Sequence, residues 1–151
     1  MNRKHIAVWT LYDLAGSIYS AVIVAAVFNV YFADVIVGNE DGRGDQMWGW
    51  VGSLSVAIVA LSSPLLGSIA DRAGVRKRLM ILYTLLGVGA VAAFTMLKPG
   101  MVWIGFVLAV LANIGFEGGL VFYNAYLPEI APKSHQGRVS GWGFGLGYAG
   151  S

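Results

Sequence analysis

Long apolar stretches, separated by short polar or glycine-rich segments, make up most of this chain of 151 residues. Four of them run over residues 6–37, 47–70, 79–97 and 101–127, and a fifth begins at 139 and is incomplete at 151. A helix needs about 20 apolar residues to cross the hydrocarbon core of a bilayer. The pattern therefore predicts an all-α, polytopic transmembrane helical bundle, with four helices and the start of a fifth.

The composition agrees with a protein that is embedded in a lipid bilayer. Hydrophobic residues make up 57% of the chain and charged residues only 12%, against roughly 25% charged residues in a soluble domain. The net charge of +2 does not predict nucleic-acid binding, because basic residues beside membrane spans usually set topology. A cleaved signal peptide is disfavoured, since the first apolar stretch is too long and contains Asp13.

The distribution of the ten lysines and arginines predicts which side of the membrane each loop faces. Only Arg43 and Lys98 fall in the first and third loops, and the other eight lie at the N-terminus or in the second and fourth loops. Since cytoplasmic loops carry the excess of Lys and Arg, the N-terminus is expected to be cytoplasmic. We also interpret the incomplete fifth stretch as the sign of an N-terminal fragment of a longer protein; a complete four-helix protein with a glycine-rich tail is the alternative.

Acidic side chains occur inside two of the predicted spans, at Asp13 and Glu117. Asn113, Glu117 and Asn124 fall within roughly 40° of one another on the fourth helix, and Ser17 lies on the side of Asp13 on the first. Ionisable groups within a span are expensive and usually functional. These five residues are therefore the predicted solute and proton pathway, in which both carboxylates line one water-filled cavity. The alternative is that the acids only hold helices together by hydrogen bonds.

Some kinds of chemistry are disfavoured by the residue inventory. The chain has no cysteine and two histidines, so neither a metal site nor a cofactor is predicted, and a membrane-embedded enzyme is improbable. Gly145, Gly147 and Gly150 have the spacing of a dinucleotide loop, but that motif needs a preceding strand, which is not expected here. Gly143 and Gly147 are better explained as a helix-packing face, because glycines four residues apart let two helices approach closely.

The segment GSIADRAGVRKR, residues 67–78, lies between the second and third predicted spans on the cytoplasmic side. A glycine can let helices approach, a second glycine can reverse the chain, and an aspartate beside basic residues can form charge pairs that break when a gate opens. A loop that only sets topology is the simpler alternative. The predicted gating residues are Gly67, Asp71, Arg72, Gly74, Arg76 and Lys77.

This loop resembles the signature loop of the major facilitator superfamily, with Val75 at a position where a basic residue is common. Two further regions are similar to the vacuole-effluxer branch of that superfamily, which includes fungal vacuolar amino-acid exporters; Gly16 departs from that pattern, since the family often has Asn there. The residues that carry this second resemblance are Tyr12, Asp13, Ala15, Ser17, Tyr19, Phe122, Tyr123, Asn124, Leu127, Pro128, Ser140, Gly143, Gly147 and Tyr148.

The resemblance implies the major facilitator fold, in which about twelve helices form two bundles around a central site. The first and fourth helices would line that site, and the remaining C-terminal helices would be partners of this segment. The implied function is secondary active transport of a small-molecule solute, with amino-acid export and proton coupling as specific expectations, in a bacterial inner membrane. The alternative function is a non-transporting scaffold or receptor-like protein whose intramembrane acids only pack helices.

Overall fold

The structure, a computed structural model, describes residues 3–125 together with Gly137, Gly141 and Gly145. Every regular element in this part of the chain is helical, which confirms the predicted all-α class. Of the fifth predicted span only Gly141 and Gly145 are described, and Gly143 and Gly147 lie outside the described residues. The elements are α1 (Arg3–Ile18), a π-helical segment (Tyr19–Ala26), α2 (Phe28–Val30), a second π-helical segment (Tyr31–Val37), α3 (Arg43–Ala73), α4 (Arg76–Ala93), a 3₁₀ turn (Phe94–Met96) and α5 (Val102–Ala125).

Four helical stretches of the described chain are long and apolar enough to cross a membrane. They run over Val8–Val37, Arg43–Ala70, Arg76–Met96 and Val102–Ala125, with mean hydropathies between 1.8 and 2.1. The prediction of four spans before residue 126 is therefore confirmed. Many large apolar side chains on these helices are exposed, as a lipid-facing surface requires.

The first span is not a regular α-helix along its length. Most of Tyr19–Val37 forms two π-helical segments on either side of α2, and the Val27 N–H donates to the Val22 carbonyl five residues earlier, at 2.7 Å. A π-helix has wider turns than an α-helix and occurs mostly as short bulges at functional sites. The long first span, Val8–Val37, thus contains wider turns than a regular α-helix.

The start of α3 lies at Arg43, four residues before the position that the apolar pattern indicates. The Asn39 side chain explains this early start, because its Oδ1 accepts the Asp45 backbone N–H at 3.2 Å and its Nδ2 donates to the Asp45 carboxylate at 2.9 Å. The N–H groups of a first helical turn have no partner within the helix. Asn39 thus stabilises a polar first turn that hydropathy alone does not reveal.

A left-handed glycine connects α3 to α4. Gly74 has φ +63° and ψ 24°, and the next residue, Val75, donates its N–H to the Ala70 carbonyl at 3.2 Å. A glycine here closes the C-terminus of one helix without the steric penalty that a Cβ brings. The chain reversal predicted at Gly74 is therefore present.

The described residues divide into two compact units. One comprises Val30–Phe122, and its most deeply buried side chains are Phe32, Ile36, Val51 and Ser55. Within it the rings of Phe32 and Trp48 lie 5.8 Å apart, which fixes the second half of the first span against α3. The other unit comprises the chain up to Asn29 together with the chain from Tyr123 onward, and its described core is aromatic.

Candidate functional site

The predicted gating residues surround the turn between α3 and α4. Arg72 and Lys77 are exposed, and Arg76 is half-buried at the first position of α4. Asp71 lies in the last turn of α3. The close helix contact expected at Gly67 is not found among the described residues, because a Cβ there would meet no described atom within 4 Å. The packing role of Gly67 stays a prediction.

The polar stripe predicted on the fourth span lies on one continuous helix, α5. Its members differ in burial: Asn113 is only 9% exposed, Glu117 is half-buried and Asn124 is exposed. Asn113 and Glu117 belong to the unit Val30–Phe122, and Asn124 belongs to the other unit. Within one unit Asn113 and Glu117 therefore lie four residues apart on α5 with different degrees of burial, and the face shared by all three residues stays a prediction.

Asp13 and Ser17 of α1 are both half-buried. Asp13 belongs to a different compact unit from Glu117. The single cavity shared by the two carboxylates therefore stays a prediction. What the structure brings to Asp13 is a pair of tyrosines, one beside it in the sequence and one from the end of α5.

Three aromatic rings form a stack next to Asp13. The Tyr123 ring stacks on the ring of Trp9, at a centroid distance of 4.5 Å and an angle of 12°, and on the ring of Tyr12, at 5.0 Å and 22°. The Trp9 indole N–H also donates to the Tyr123 backbone carbonyl at 3.4 Å. This stack joins the first span to the end of α5 within one unit.

The Tyr123 hydroxyl is the least expected feature of this cluster. Tyr123 is 3% exposed, and its hydroxyl oxygen has no hydrogen-bond partner among the described residues. The Asp13 carboxyl group acts on this hydroxyl both as a charge and as a weak hydrogen-bond partner, although the geometry falls short of a full hydrogen bond. A buried polar group without a partner is uncommon and requires an explanation.

Neither Trp9 nor Tyr123 was predicted as a site residue, although Tyr123 is among the residues that carry the family resemblance. One signal was present: Trp9 lies four residues before Asp13, so both lie on the same side of α1. Tyr123 gave no such signal, because its contact with α1 joins residues 114 positions apart. In the described part of the chain, no group of three potential metal-ligating side chains is found.

The sequence of this chain matches a known protein family. The family described as "Vacuole effluxer Atg22 like" matches residues 47–140, which is more than half of the chain. Autophagy-related protein 22 of Yarrowia lipolytica is 31% identical over 88 residues, which are 58% of this chain and 15% of that protein. The predicted resemblance to the vacuole-effluxer branch is thereby confirmed.

Two bacterial relatives are also similar. An uncharacterized MFS-type transporter of Bacillus subtilis, YxiO, is 35% identical over 146 residues, which are 95% of this chain and 34% of that protein. The multidrug resistance protein MdtG of Erwinia billingiae is 32% identical over 109 residues, 71% of this chain and 25% of its own length. The chain thus spans about a third or less of these relatives. No solved structure matches it significantly.

Proposed function

We propose that this chain, which belongs to the vacuole effluxer Atg22-like family, is part of a secondary active transporter that moves small solutes by alternating access. The observation that carries the proposal is a half-buried carboxylate, Glu117, within an apolar span of a chain from this family. Transporters of this kind bind solutes and coupling ions near the middle of the bilayer. The function is therefore assigned to the polar stripe rather than to the loops.

The position of Glu117 inside an apolar helix supports a role in binding a solute. It lies eight residues before Ala125, the last described residue of α5, and thus about 12 Å along the helix at 1.5 Å per residue. Moving an ionised side chain to the middle of a membrane helix costs about 3 kcal/mol on insertion scales. Such a cost is offset when the group faces water, a solute or a polar partner.

The pathway in this proposal consists of Asp13, Ser17, Asn113, Glu117 and Asn124. Carboxylates in a low-dielectric environment attract cations strongly, so a solute with an ammonium group, such as an amino acid, is the favoured class. The same carboxylates can carry a proton, which makes proton coupling part of the proposal. Export is the favoured direction of amino-acid transport in this proposal. The N-terminus is assigned to the cytoplasm, and the protein is assigned to a bacterial inner membrane.

The cytoplasmic gate in this proposal is the α3–α4 turn, with Gly67, Asp71, Arg72, Gly74, Arg76 and Lys77. Charge pairs among these residues would form in one state and break in another. In this proposal, Gly67 approaches a neighbouring helix during the transport cycle, because a residue without a side chain permits close helix contact.

The proposal is tested with the full-length protein in proteoliposomes. The probe is a mixture of radiolabelled amino acids, and the initial rate of their flux is measured with and without an imposed pH gradient. Glu117→Gln removes the charge at nearly constant volume, and Glu40→Gln, in the exposed first loop, is the matched control. We expect Glu117→Gln to abolish gradient-dependent flux and Glu40→Gln to retain it.

The outcome also separates transport from a scaffold function. If Glu117→Gln transports like the wild type but unfolds at a lower temperature, Glu117 only packs helices and its role in transport is lost. If the wild-type protein moves none of the amino acids, amino-acid export is excluded. A thermal-shift screen of the wild type against metabolites then identifies other solutes.

A further inference from the structure

We propose that Tyr123 is a positioning residue whose hydroxyl donates a hydrogen bond to the Asp13 carboxylate. The inference deepens the proposed function and rests on it for its meaning, since Asp13 belongs to the proposed pathway. Both residues of the proposed hydrogen bond, Asp13 and Tyr123, belong to one compact unit. It joins the first span to the end of α5, and thus holds the acid of one helix by a group from another.

The aromatic stack fixes where the hydroxyl can point. The rings of Trp9 and Tyr12 both stack on the Tyr123 ring, with centroid distances of 4.5 and 5.0 Å. The Trp9 indole N–H donates to the backbone carbonyl of Tyr123. Two stacked rings and a backbone hydrogen bond, all from α1, restrict the freedom of the Tyr123 ring.

Burial explains why the hydroxyl needs an acceptor. Leaving a buried hydroxyl without a hydrogen bond costs about 1–3 kcal/mol. The groups that act electrostatically on it are the Asp13 carboxyl and the neighbouring Tyr12. Of these two groups, the carboxylate is the stronger acceptor, because a hydrogen bond to an ionised acceptor is stronger than one to a neutral hydroxyl.

Packing alone does not account for a tyrosine at this position. The stack needs only the ring, so phenylalanine would provide the same contacts with Trp9 and Tyr12 without burying a hydroxyl. A hydroxyl that is retained in a site 97% removed from solvent therefore serves another group. Asp13 is the charged group within reach, and a fixed carboxylate presents the same oxygen to a solute or proton in every cycle.

Infrared difference spectroscopy of the full-length protein in lipid nanodiscs tests the contact directly, with the proton as the probe. The carboxyl band of Asp13 is identified by its loss in Asp13→Asn. We expect Tyr123→Phe, which keeps the ring stack, to shift this band. Tyr12→Phe removes the hydroxyl of the other tyrosine in the stack and serves as the matched control, with the band unchanged. An Asp13 band that stays in place in Tyr123→Phe overturns the proposal.

Transport of the radiolabelled amino-acid mixture supplies the functional readout. We expect Tyr123→Phe to lower the maximal rate about tenfold, the size of effect that the loss of a hydrogen bond to a charged group typically has. In an Asp13→Asn background the same substitution should cause no further loss. Equal losses in both backgrounds would overturn the positioning role. If Asp13→Asn transports normally while Tyr123→Phe still shifts the Asp13 band, the hydrogen bond is supported and the proposed role of Asp13 in transport fails.

Discussion

Gly115 of α5 lies directly against the backbone of Gly87 of α4. A Cβ built on Gly115 would come within 3.0 Å of the Gly87 nitrogen and Cα and of the Tyr83 carbonyl oxygen. Three residues further along α5, Gly118 faces the ring of Tyr83 in the same way. Two helices thus meet through backbone atoms. Close packing of this kind drives the association of membrane helices, because lipid tails are as apolar as the helix surfaces and no hydrophobic driving force acts between the helices.

Gly115→Ala is expected to lower the stability of the full-length protein. The added methyl group cannot fit without separating α4 from α5, and overpacking of this kind costs about 1–3 kcal/mol. Gly89→Ala, on the same α4, is the control, because a Cβ there meets nothing within 4 Å. Thermal unfolding in detergent micelles should show a lower midpoint for Gly115→Ala only. Equal midpoints for the two variants would mean that the close contact is absent.

Gly74→Ala is expected to destabilise the turn between α3 and α4. Gly74 has φ +63°, and a residue with a Cβ pays about 1–2 kcal/mol in this conformation. The unfolding midpoint in micelles should therefore fall. A midpoint equal to that of the wild type would show that the turn can adopt another conformation at no cost.

Gly67→Ala separates static packing from movement. Gly67 lies within α3 with open space around it, so alanine should raise helix stability, by up to about 1 kcal/mol. If Gly67 approaches another helix during the transport cycle, the same variant should transport the amino-acid mixture more slowly while it unfolds at the same or a higher temperature. Unchanged transport would remove Gly67 from the proposed gate.

Hydropathy and glycine spacing predicted the parts of the fold that depend on local sequence. The apolar stretches predicted four spans, since length and composition alone determine whether a helix can cross a bilayer. Gly74 was expected at a reversal of the chain, and its φ of +63° agrees with that expectation because a glycine lacks the Cβ that disfavours this conformation.

The remaining features depend on contacts between distant residues or on backbone geometry that no residue type specifies. The π-helical turns of Tyr19–Ala26 consist of alanine, valine, isoleucine, serine and tyrosine, which are equally compatible with an α-helix in a membrane. The stack of Trp9 on Tyr123 joins two helices that are far apart in the sequence. Asn39 was read as part of a loop, although its side chain extends α3 by a turn.

Asn39→Ala is expected to lower the free energy of unfolding by about 1 kcal/mol, the usual value of an amide that accepts a hydrogen bond at a helix N-terminus. The substitution removes both the bond from the Asp45 N–H and the bond to the Asp45 carboxylate. Asp41→Ala, at an exposed position of the same loop, is the comparison variant. Chemical unfolding in micelles gives the difference, and a larger effect for Asp41→Ala would contradict the role of the Asn39 side chain in holding the first turn of α3.

Exposed positions of α5 should divide into a face that meets water and a face that meets lipid. Asn124, on the polar stripe, and Val107, 52% exposed on another side of the helix, offer a matched pair. Cysteine reacts as the thiolate, which forms readily in water but not in hydrocarbon. In a cysteine-free full-length background, we expect Asn124→Cys to react with a membrane-impermeant, charged thiol reagent and Val107→Cys to remain unmodified.

The amino-acid mixture, added as a competitor, should slow the reaction at position 124 if the stripe lines the pathway. Faster labelling at position 107 would show that the polar stripe does not face water, and the proposed pathway would then have to lie elsewhere.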